Sequence, residues 1–524
     1  MTVMSSGIPW QQLAGMVGDF EPGGVALVGA GPGDRALICV RGAVRLMQAD
    51  VVLYDASAAA TDLLELVDPQ AERVCVGPPA QEAWSQEEIN AALVRYARAG
   101  KRVVRLVAGD PFVAGRCVKE CVHLIAARVR CEVVPGMPVE IGVSASTGIP
   151  LTQQGVSRLV AIAGEPVEPD AWAEADFAAL AGMPTVVLAV AGLDGLDRCC
   201  ERLIDAGMDA RMPAAAVSRP ARPAQQTIVG TVGDIAGRVA GEQIEGPLVL
   251  LIGQAVRLRE TAEWFERRPL YGQTVAVTRM PDQSAALRAA LEVLGAEVIE
   301  TSTIELAEVD DYYAVDQALR RIREYDWLVL TSASGVAAMF ARLEAMGLDS
   351  RALAGPRIAA IGSATAARLM EHGVRPDLVP NEAVGEALAQ AIIQRGVAGR
   401  RVLLLRSDIA RSYLVEALAG AGAACDDLAV YRTVCPQSLP AEFVERLDAG
   451  RIDWLTLTSP SSLVNLLQLL GKDRLQKLRR VKLASIGPVT TRAIRESGLA
   501  EAVEANPHDL PALVAAIVGA MPCR

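Results

Sequence analysis

The sequence predicts an α/β protein in two consecutive halves, the second built from two similar, doubly wound lobes of parallel sheet. Three observations carry this. Strand-like and helix-like stretches alternate along the chain from residue 23 onward. The alternation breaks at the charged stretch VRLRETAEWFERRPLYGQ, just before TVAVTR, which sets a boundary near 262–272. The second half also repeats itself. VAVTR (275–279) returns as VLLLR (402–406), WLVLTS (327–332) as WLTLTS (454–459), and IAAIGSATAARL (358–369) as LASIGPVTTRAI (483–494), at offsets of 127, 127 and 125 residues. A near-constant offset over three separate segments marks two similar structural units.

Composition agrees with this and removes several function classes. The 524 residues exceed the roughly 250–300 that one core accommodates. A hydrophobic content of 51% excludes a disordered chain. No apolar run approaches about 18 residues without a charge, so no membrane span is expected. Residues 1–22 lack the basic and apolar regions of a signal peptide and read as an irregular extension. A net charge of −11 argues against a nucleic-acid binder. The ten cysteines form no CxxC pair and there are three histidines, His123, His372 and His508, so no metal site is expected. The thiols read as reduced and mostly buried in a cytoplasmic protein.

The elements follow in order. In the first half VALVG, ADVVLYD, RVCVG, RVVRL, CEVVPG, LVAIAG, PTVVLAV and PLVLLIG read as strands, and RALICVRGAVRLMQ, QEEINAALVRYARAG and DGLDRCCERLIDAG as amphipathic helices. The second half offers about ten strands, enough for two five-stranded lobes. There an apolar strand repeatedly ends in small hydroxyl residues and a helix pattern follows: Thr331-Ser332-Ala333-Ser334, Gly362-Ser363-Ala364-Thr365, Ser407-Asp408, Thr458-Ser459-Pro460-Ser461 and Gly487-Pro488-Val489-Thr490. Each junction alone reads as an ordinary N-cap. Five of them, paired by the repeat, favour a cleft lined with hydroxyls and helix N–H groups at the carboxyl ends of parallel strands. Arg279 and Arg406 end corresponding strands and would add positive charge. Such a cleft suits a ligand with many carboxylates and needs no metal.

Residues 272–524 resemble the uroporphyrinogen-III synthase family through VAVTRMPDQSAALRAALEVLGAEV, YDWLVLTSASGV, IAAIGSATA, RVLLLRSD, AVYRT, WLTLTSPSS and ASIGPVTTRAI. The resemblance implies two lobes joined by two strands, one from about 272–303 with 436–524 and the other from about 304–435. It implies a cofactor-free cyclisation of hydroxymethylbilane to uroporphyrinogen III, in which a hydroxyl leaves, an azafulvene forms and the last pyrrole ring is inverted. The tyrosine of the family's YRT segment matches Tyr431, whose phenol would hydrogen-bond the departing hydroxyl. Substrate carboxylates would meet Arg279, Thr331, Ser332, Ser334, Ser363, Arg406, Ser459 and Thr490.

In the first half GAGPGD (29–34) is a glycine-rich turn without the dinucleotide spacing, since Pro32 intervenes. Together with ADVVLYD, QEEINAALVRYARAGKRVVRL, GDPFVAGR, VVPG, TGIPLT and RLIDAGMDARMP it makes residues 24–258 similar to the tetrapyrrole methylase family, closest to uroporphyrinogen-III C-methyltransferase. That places a methylase domain at 23–262 and a linker at 263–271. The resemblance implies S-adenosyl-L-methionine folded between two α/β lobes against Pro32, Gly109, Asp110, Val113, Val139 and Ala191, with Asp55 as proton acceptor, uroporphyrinogen III methylated twice to precorrin-2, and a homodimer through this half. Several positions depart from the family pattern. Ala56 stands for an arginine, Pro78 for the lysine proposed as proton donor, Pro138 at a donor contact removes an N–H, and Ala191 replaces a methionine. Two readings of this half follow: a working methyltransferase with altered acid–base groups, or a domain kept for donor binding, assembly or channelling. A non-catalytic tetrapyrrole-binding protein and a structural partner in a larger assembly are the alternatives for the whole chain.

Overall fold

The computed structural model describes residues 10–55, 58–77, 84–113, 116–167, 174–242, 244, 246–500 and 502–522. Two compact units divide the chain, one of 1–274 with 289–298 and 518–524, the other of 275–288 with 299–517.

The first unit contains two sheets. Strands β1 (Gly24–Gly29), β2 (Val51–Tyr54), β3 (Glu72–Cys75), β4 (Val103–Val107) and β5 (Arg130–Val134) form a sheet ordered β3-β2-β4-β1-β5. Every pairing in it is parallel. Its central strands are apolar and buried along their whole length, as helices on both faces require. One letter breaks the run: Arg105, in the middle of VVRLV, is 1% exposed. Strands β6 (Val160–Val167), β7 (Thr185–Val190), β8 (Pro213–Ser218), β9 (Gln226–Thr231) and β10 (Leu248–Gly253) form the second sheet, ordered β6-β7-β10-β8-β9. Here β10 runs antiparallel to β7 and β8, and β8 to β9. The sequence reading lacks β8 and β9. PAAAVS is fully buried yet alanine-rich, a composition depleted in strands, and its partner QTIVGT is recruited by it.

Two boundaries differ from expectation. Trp10–Val17 is a helix, too short for its spacing to stand out in the sequence. The segment 263–271 is no free linker: Phe265 and Leu270 are buried at 4% and 0% exposure. The side chain of Gln225 donates to Glu266 Oε1 at 2.9 Å, and Glu266 also pairs with buried Arg259.

In the remaining chain β11 (Thr274–Val277) and β12 (Glu297–Glu300) come first. Then β13 (Glu305–Ala307), β14 (Trp327–Leu330), β15 (Arg357–Ala360), β16 (Arg401–Ser407) and β17 (Ala424–Val434) form a complete sheet ordered β13-β17-β16-β14-β15. Strands β18 (Trp454–Leu457), β19 (Lys482–Ser485) and β20 (Val503–Glu504) return to β11 and β12 in the order β12-β11-β18-β19-β20. The repeat is visible in these orders. The matched segments form β16-β14-β15 in one sheet and β11-β18-β19 in the other, in the same sequence of neighbours. Even a cross-strand detail recurs. Trp327 pairs in register with Arg357, whose guanidinium lies 5.7 Å from the indole, and Trp454 with Lys482, whose ammonium lies 5.3 Å away.

Candidate functional site

Two groups of residues gather at the carboxyl ends of parallel strands, one in each unit. In the first unit β1 ends in GAGPGD and β4 in AGDPF. The two turns bridge through Gly31 and Gly109, whose N–H groups donate to each other's carbonyls at 3.2 and 3.0 Å. Three glycines make this approach possible. A Cβ on Gly136 would lie 2.1 Å from the Gly109 carbonyl oxygen and 2.8 Å from Gly29 Cα, and one on Gly29 would lie 2.5 Å from the same oxygen. Gly109 itself has φ +63° and faces the backbone nitrogen of Val139. Asp110 locks the junction. Its Oδ1 accepts from Phe112 and Val113 N–H groups at 2.8 and 3.2 Å, and its Oδ2 from Gly136 N–H at 3.0 Å. Pro32 is buried against Gly142 in the helix Val139–Thr147, whose N-cap is Pro138. Thus Pro32, Gly109, Asp110, Val113 and Val139 belong to one cluster at one sheet end. Ala191 is carried by the other sheet, exposed beyond the end of β7.

Asp55 follows β2 and is held by a charge the sequence reading missed. Arg105 Nη2 donates to Asp55 Oδ1 at 2.8 Å, and its Nε to Glu120 Oε1 at 3.3 Å. Glu120 is 0% exposed and its Oε2 meets no partner among the described residues. Burial works against the Arg105 charge, but Asp55 and Glu120 outweigh it and its pKa is raised. Gly77 leaves room for this carboxylate, since a Cβ there would lie 2.8 Å from Asp55 Oδ1. The one available signal was an arginine inside an apolar strand, which demands a buried partner. Ala56 and Pro78 lie outside the described residues.

In the second unit the hydroxyl junctions are helix starts. Ser332 caps the helix Ala333–Ala345, its Oγ accepting from Gly335 N–H at 2.9 Å. Its repeat partner Ser459 caps Pro460–Leu478, accepting from Ser462 N–H at 3.1 Å. Tyr431 lies where β17 is bulged: Arg406 pairs with Ala429 but Ser407 with Tyr431. The extra residue is Val430, and the bulge lets adjacent Val430 and Tyr431 pack on one hydrophobic cluster. The phenol oxygen of Tyr431 is thereby set 3.0 Å from Ser332 Oγ. Beside it lies a hollow of about 440 Å³ lined by Leu306, Tyr312, Ser334, Ala338, Arg342 and Tyr431, among others. Thr331 is half-buried next to Ser332, and Ser363 is exposed at the start of its helix.

Two expected contacts are corrected by their packing. Arg406 is not a free cation: it is 5% exposed, and its fork grips both oxygens of Asp427 while Nη1 donates to the Arg411 carbonyl at 2.6 Å. Thr490 is 3% exposed within its helix, and it is Thr491 that bonds Ser485 at 2.6 Å. Arg279, the repeat counterpart of Arg406, differs. Among the described residues its buried Nε has no partner and its Nη2 donates to the Gln283 amide oxygen at 3.3 Å, and burial lowers its pKa. Among the described residues no group of histidine, cysteine and carboxylate side chains could hold a metal ion.

Comparison with known proteins covers both units. A family model described as uroporphyrinogen-III synthase HemD matches residues 285–515, and one described as tetrapyrrole (corrin/porphyrin) methylases matches residues 24–236. The porphyrin biosynthesis protein HemD of Ruminiclostridium josui is 34% identical over 482 residues, 92% of this chain and 95% of that protein. The siroheme synthase of Acinetobacter baylyi is 43% identical over 251 residues, 46% of this chain and 53% of that protein. The chain thus spans about half the length of the siroheme synthases it matches. The crystal structure of uroporphyrin-III C-methyltransferase from Thermus thermophilus, complexed with S-adenosyl homocysteine, is 33% identical. It covers 45% of this chain and 99% of its own, with a TM-score of 0.37.

Proposed function

The chain belongs to the family of the porphyrin biosynthesis protein HemD and is an enzyme of tetrapyrrole biosynthesis with a synthase and a methylase domain, and from that premise we propose the steps it takes and the residues that carry them. The synthase domain closes hydroxymethylbilane to uroporphyrinogen III with inversion of the last ring. It does so without a cofactor, because holding one conformation is most of the task. The observation that carries this reading is the Tyr431 phenol, aimed by a bulge to the edge of a hollow and bonded to a helix-capping serine. Tyr431 gives its proton to the departing hydroxyl. Arg279, a half-buried cation whose Nε has no partner among the described residues, receives a substrate carboxylate.

The methylase domain takes S-adenosyl-L-methionine at the three-glycine junction. That junction fits the donor: it is built of backbone rather than side chains at Gly29, Gly109 and Gly136, where Gly29 and Gly136 leave no room for a Cβ against the neighbouring turn and Gly109 holds φ +63°. The donor would supply the methyl group; the pyrrole carbon that receives it carries a side chain and no hydrogen, so Asp55, oriented by Arg105, takes the proton that the methylated ring system loses from a neighbouring position. The product is precorrin-2, made from the uroporphyrinogen III of the first step. A second reading, a synthase with a silent methylase fold, is favoured by Pro138, which caps the helix facing the junction without an N–H to offer.

We place the chain in the cytoplasm, consistent with nine described cysteines that are all free. No helix among the described residues is long and apolar enough to cross a membrane. Nucleic acid is no partner at a net charge of −11. A homodimer would cover Val118, Val122 and Ile125, which are 40%, 61% and 63% exposed along one face of the helix Arg116–Ala126. Anaerobic incubation with hydroxymethylbilane and S-adenosyl-L-methionine tests the main reading. Precorrin-2 is the expected product, unmethylated uroporphyrinogen III supports the silent-methylase reading, and the uninverted isomer at the protein-free rate overturns the synthase assignment.

A further inference from the structure

The hydroxyl of Ser332 has only a few bonding possibilities, and two of them are used by the fold. A serine hydroxyl has one proton and two lone pairs. One lone pair is taken by Gly335 N–H at 2.9 Å, in the first turn of the helix Ala333–Ala345. The Tyr431 phenol oxygen lies 3.0 Å away, and either oxygen could be the donor. If the phenol donated, the half-buried serine proton would need another acceptor, and no described group bonds it. If the serine donates, its proton and one lone pair are both used and the phenol proton is free to point at the hollow beside it. Gly335 closes the arrangement from below, because a Cβ there would come within 3.1 Å of Ser332 Oγ and 3.8 Å of the tyrosine ring. The repeat supplies a comparison inside the same chain. Ser459 caps its helix in the same way, but its hydroxyl faces Ser461 and Ser462 at 2.9 and 2.8 Å and no phenol.

We propose that Ser332 is a positioning residue for ring closure, which passes the positive end of its helix to Tyr431 and so fixes the phenol as a proton donor toward the leaving hydroxyl. This rests on the reading that Tyr431 is the acid, and it gives Ser332 a task other than binding a substrate carboxylate. In the step concerned the hydroxymethyl C–O bond breaks and its electron pair leaves on oxygen. The Tyr431 proton completes a water molecule. The phenolate left behind is held by the Ser332 O–H, and it regains a proton when the newly bonded pyrrole loses one to restore its aromaticity. The N–H of the helix end and the serine O–H both point their positive ends along this line, which favours the charge that develops on the phenol oxygen.

The test is a double-mutant cycle on the full chain, with hydroxymethylbilane generated in situ and isomers III and I counted separately. Tyr431→Phe is expected to lower kcat for isomer III by about a hundredfold or more. Ser332→Ala is expected to lower it about tenfold with KM within about twofold, the loss expected from one missing hydrogen bond in the transition state. In the Tyr431→Phe background Ser332→Ala should cost no further kcat. Ser332→Thr, which keeps both the cap and the proton, should restore kcat to within about twofold and separate chemistry from any loss of folding. If the two losses multiply, or if Ser332→Ala raises KM at unchanged kcat, the positioning role is overturned and Ser332 is a ligand contact. If Tyr431→Phe turns over normally, the assignment of the acid falls first and this role with it.

Discussion

Arg105 carries a full positive charge through a strand whose other side chains are hydrocarbon. Its stability comes from Asp55 and Glu120, which are themselves tolerable there only because of it. Replacing it by methionine strands two carboxylates, one of them wholly buried, and should cost about 3–5 kcal/mol in urea unfolding. Adding Glu120→Gln to that variant should recover part of the loss, since one of the stranded charges is then gone. The arginine could be picked out of VVRLV by eye. Glu120 could not, because its place beneath β4 depends on how the helix Arg116–Ala126 crosses the sheet, which no local pattern encodes. The same limit applied to Arg279 and Arg406, which are equivalent in the sequence repeat. Only packing shows that Arg406 is neutralised by Asp427, whereas Arg279 meets no carboxylate among the described residues.

At the scale of elements the sequence spoke most clearly where strands are continuous and apolar, and least where a strand is made by its neighbours. PAAAVS gains its strand state from two flanking partners, β10 and β9, rather than from propensity. The glycine turns were legible as turns, but their mutual approach was not. Gly136→Ala puts a methyl 2.1 Å from a carbonyl oxygen in the backbone, so the junction must open. The expected result is loss of S-adenosyl homocysteine binding by at least about tenfold in calorimetric titration, with a lowered melting temperature. A second element-scale test concerns the turn into β14. Asp326 accepts Arg401 N–H at 2.9 Å and an Arg400 guanidinium bond at 2.8 Å, tying the start of β14 to β16. The Arg401 N–H first, then the Arg400 side chain, hold its carboxyl below the usual range. A depressed folded value means that its stabilisation is present above the unfolded value of about 4 and disappears as pH falls through the folded one. Asp326→Asn should therefore melt earlier than the parent at pH 7, and the gap should close as pH drops below about 4.

For the whole molecule, two units with separate cores predict two transitions in scanning calorimetry. Arg105→Met should lower one of them. Leu455→Ala, at a 0% exposed position of β18, should lower the other, with an expected cost of about 2–5 kcal/mol. The two halves and the internal repeat were readable from the residues; the interleaved connectivity came from family resemblance, because nothing local announces that TVAV will pair with a strand so far away. That pairing has a consequence for how the protein is made. Val275 meets Trp454, so β11 leaves the ribosome with its permanent neighbour still unwritten. At about 5–20 residues per second the wait is roughly ten to thirty-five seconds. During that interval β13–β17 can assemble entirely from chain already synthesised. The nascent protein should finish the inserted lobe first and hold two early strands open until nearly the end of translation, a period in which a passing chaperone, or a neighbouring nascent copy of the same chain, competes with β18 for the edge of β11.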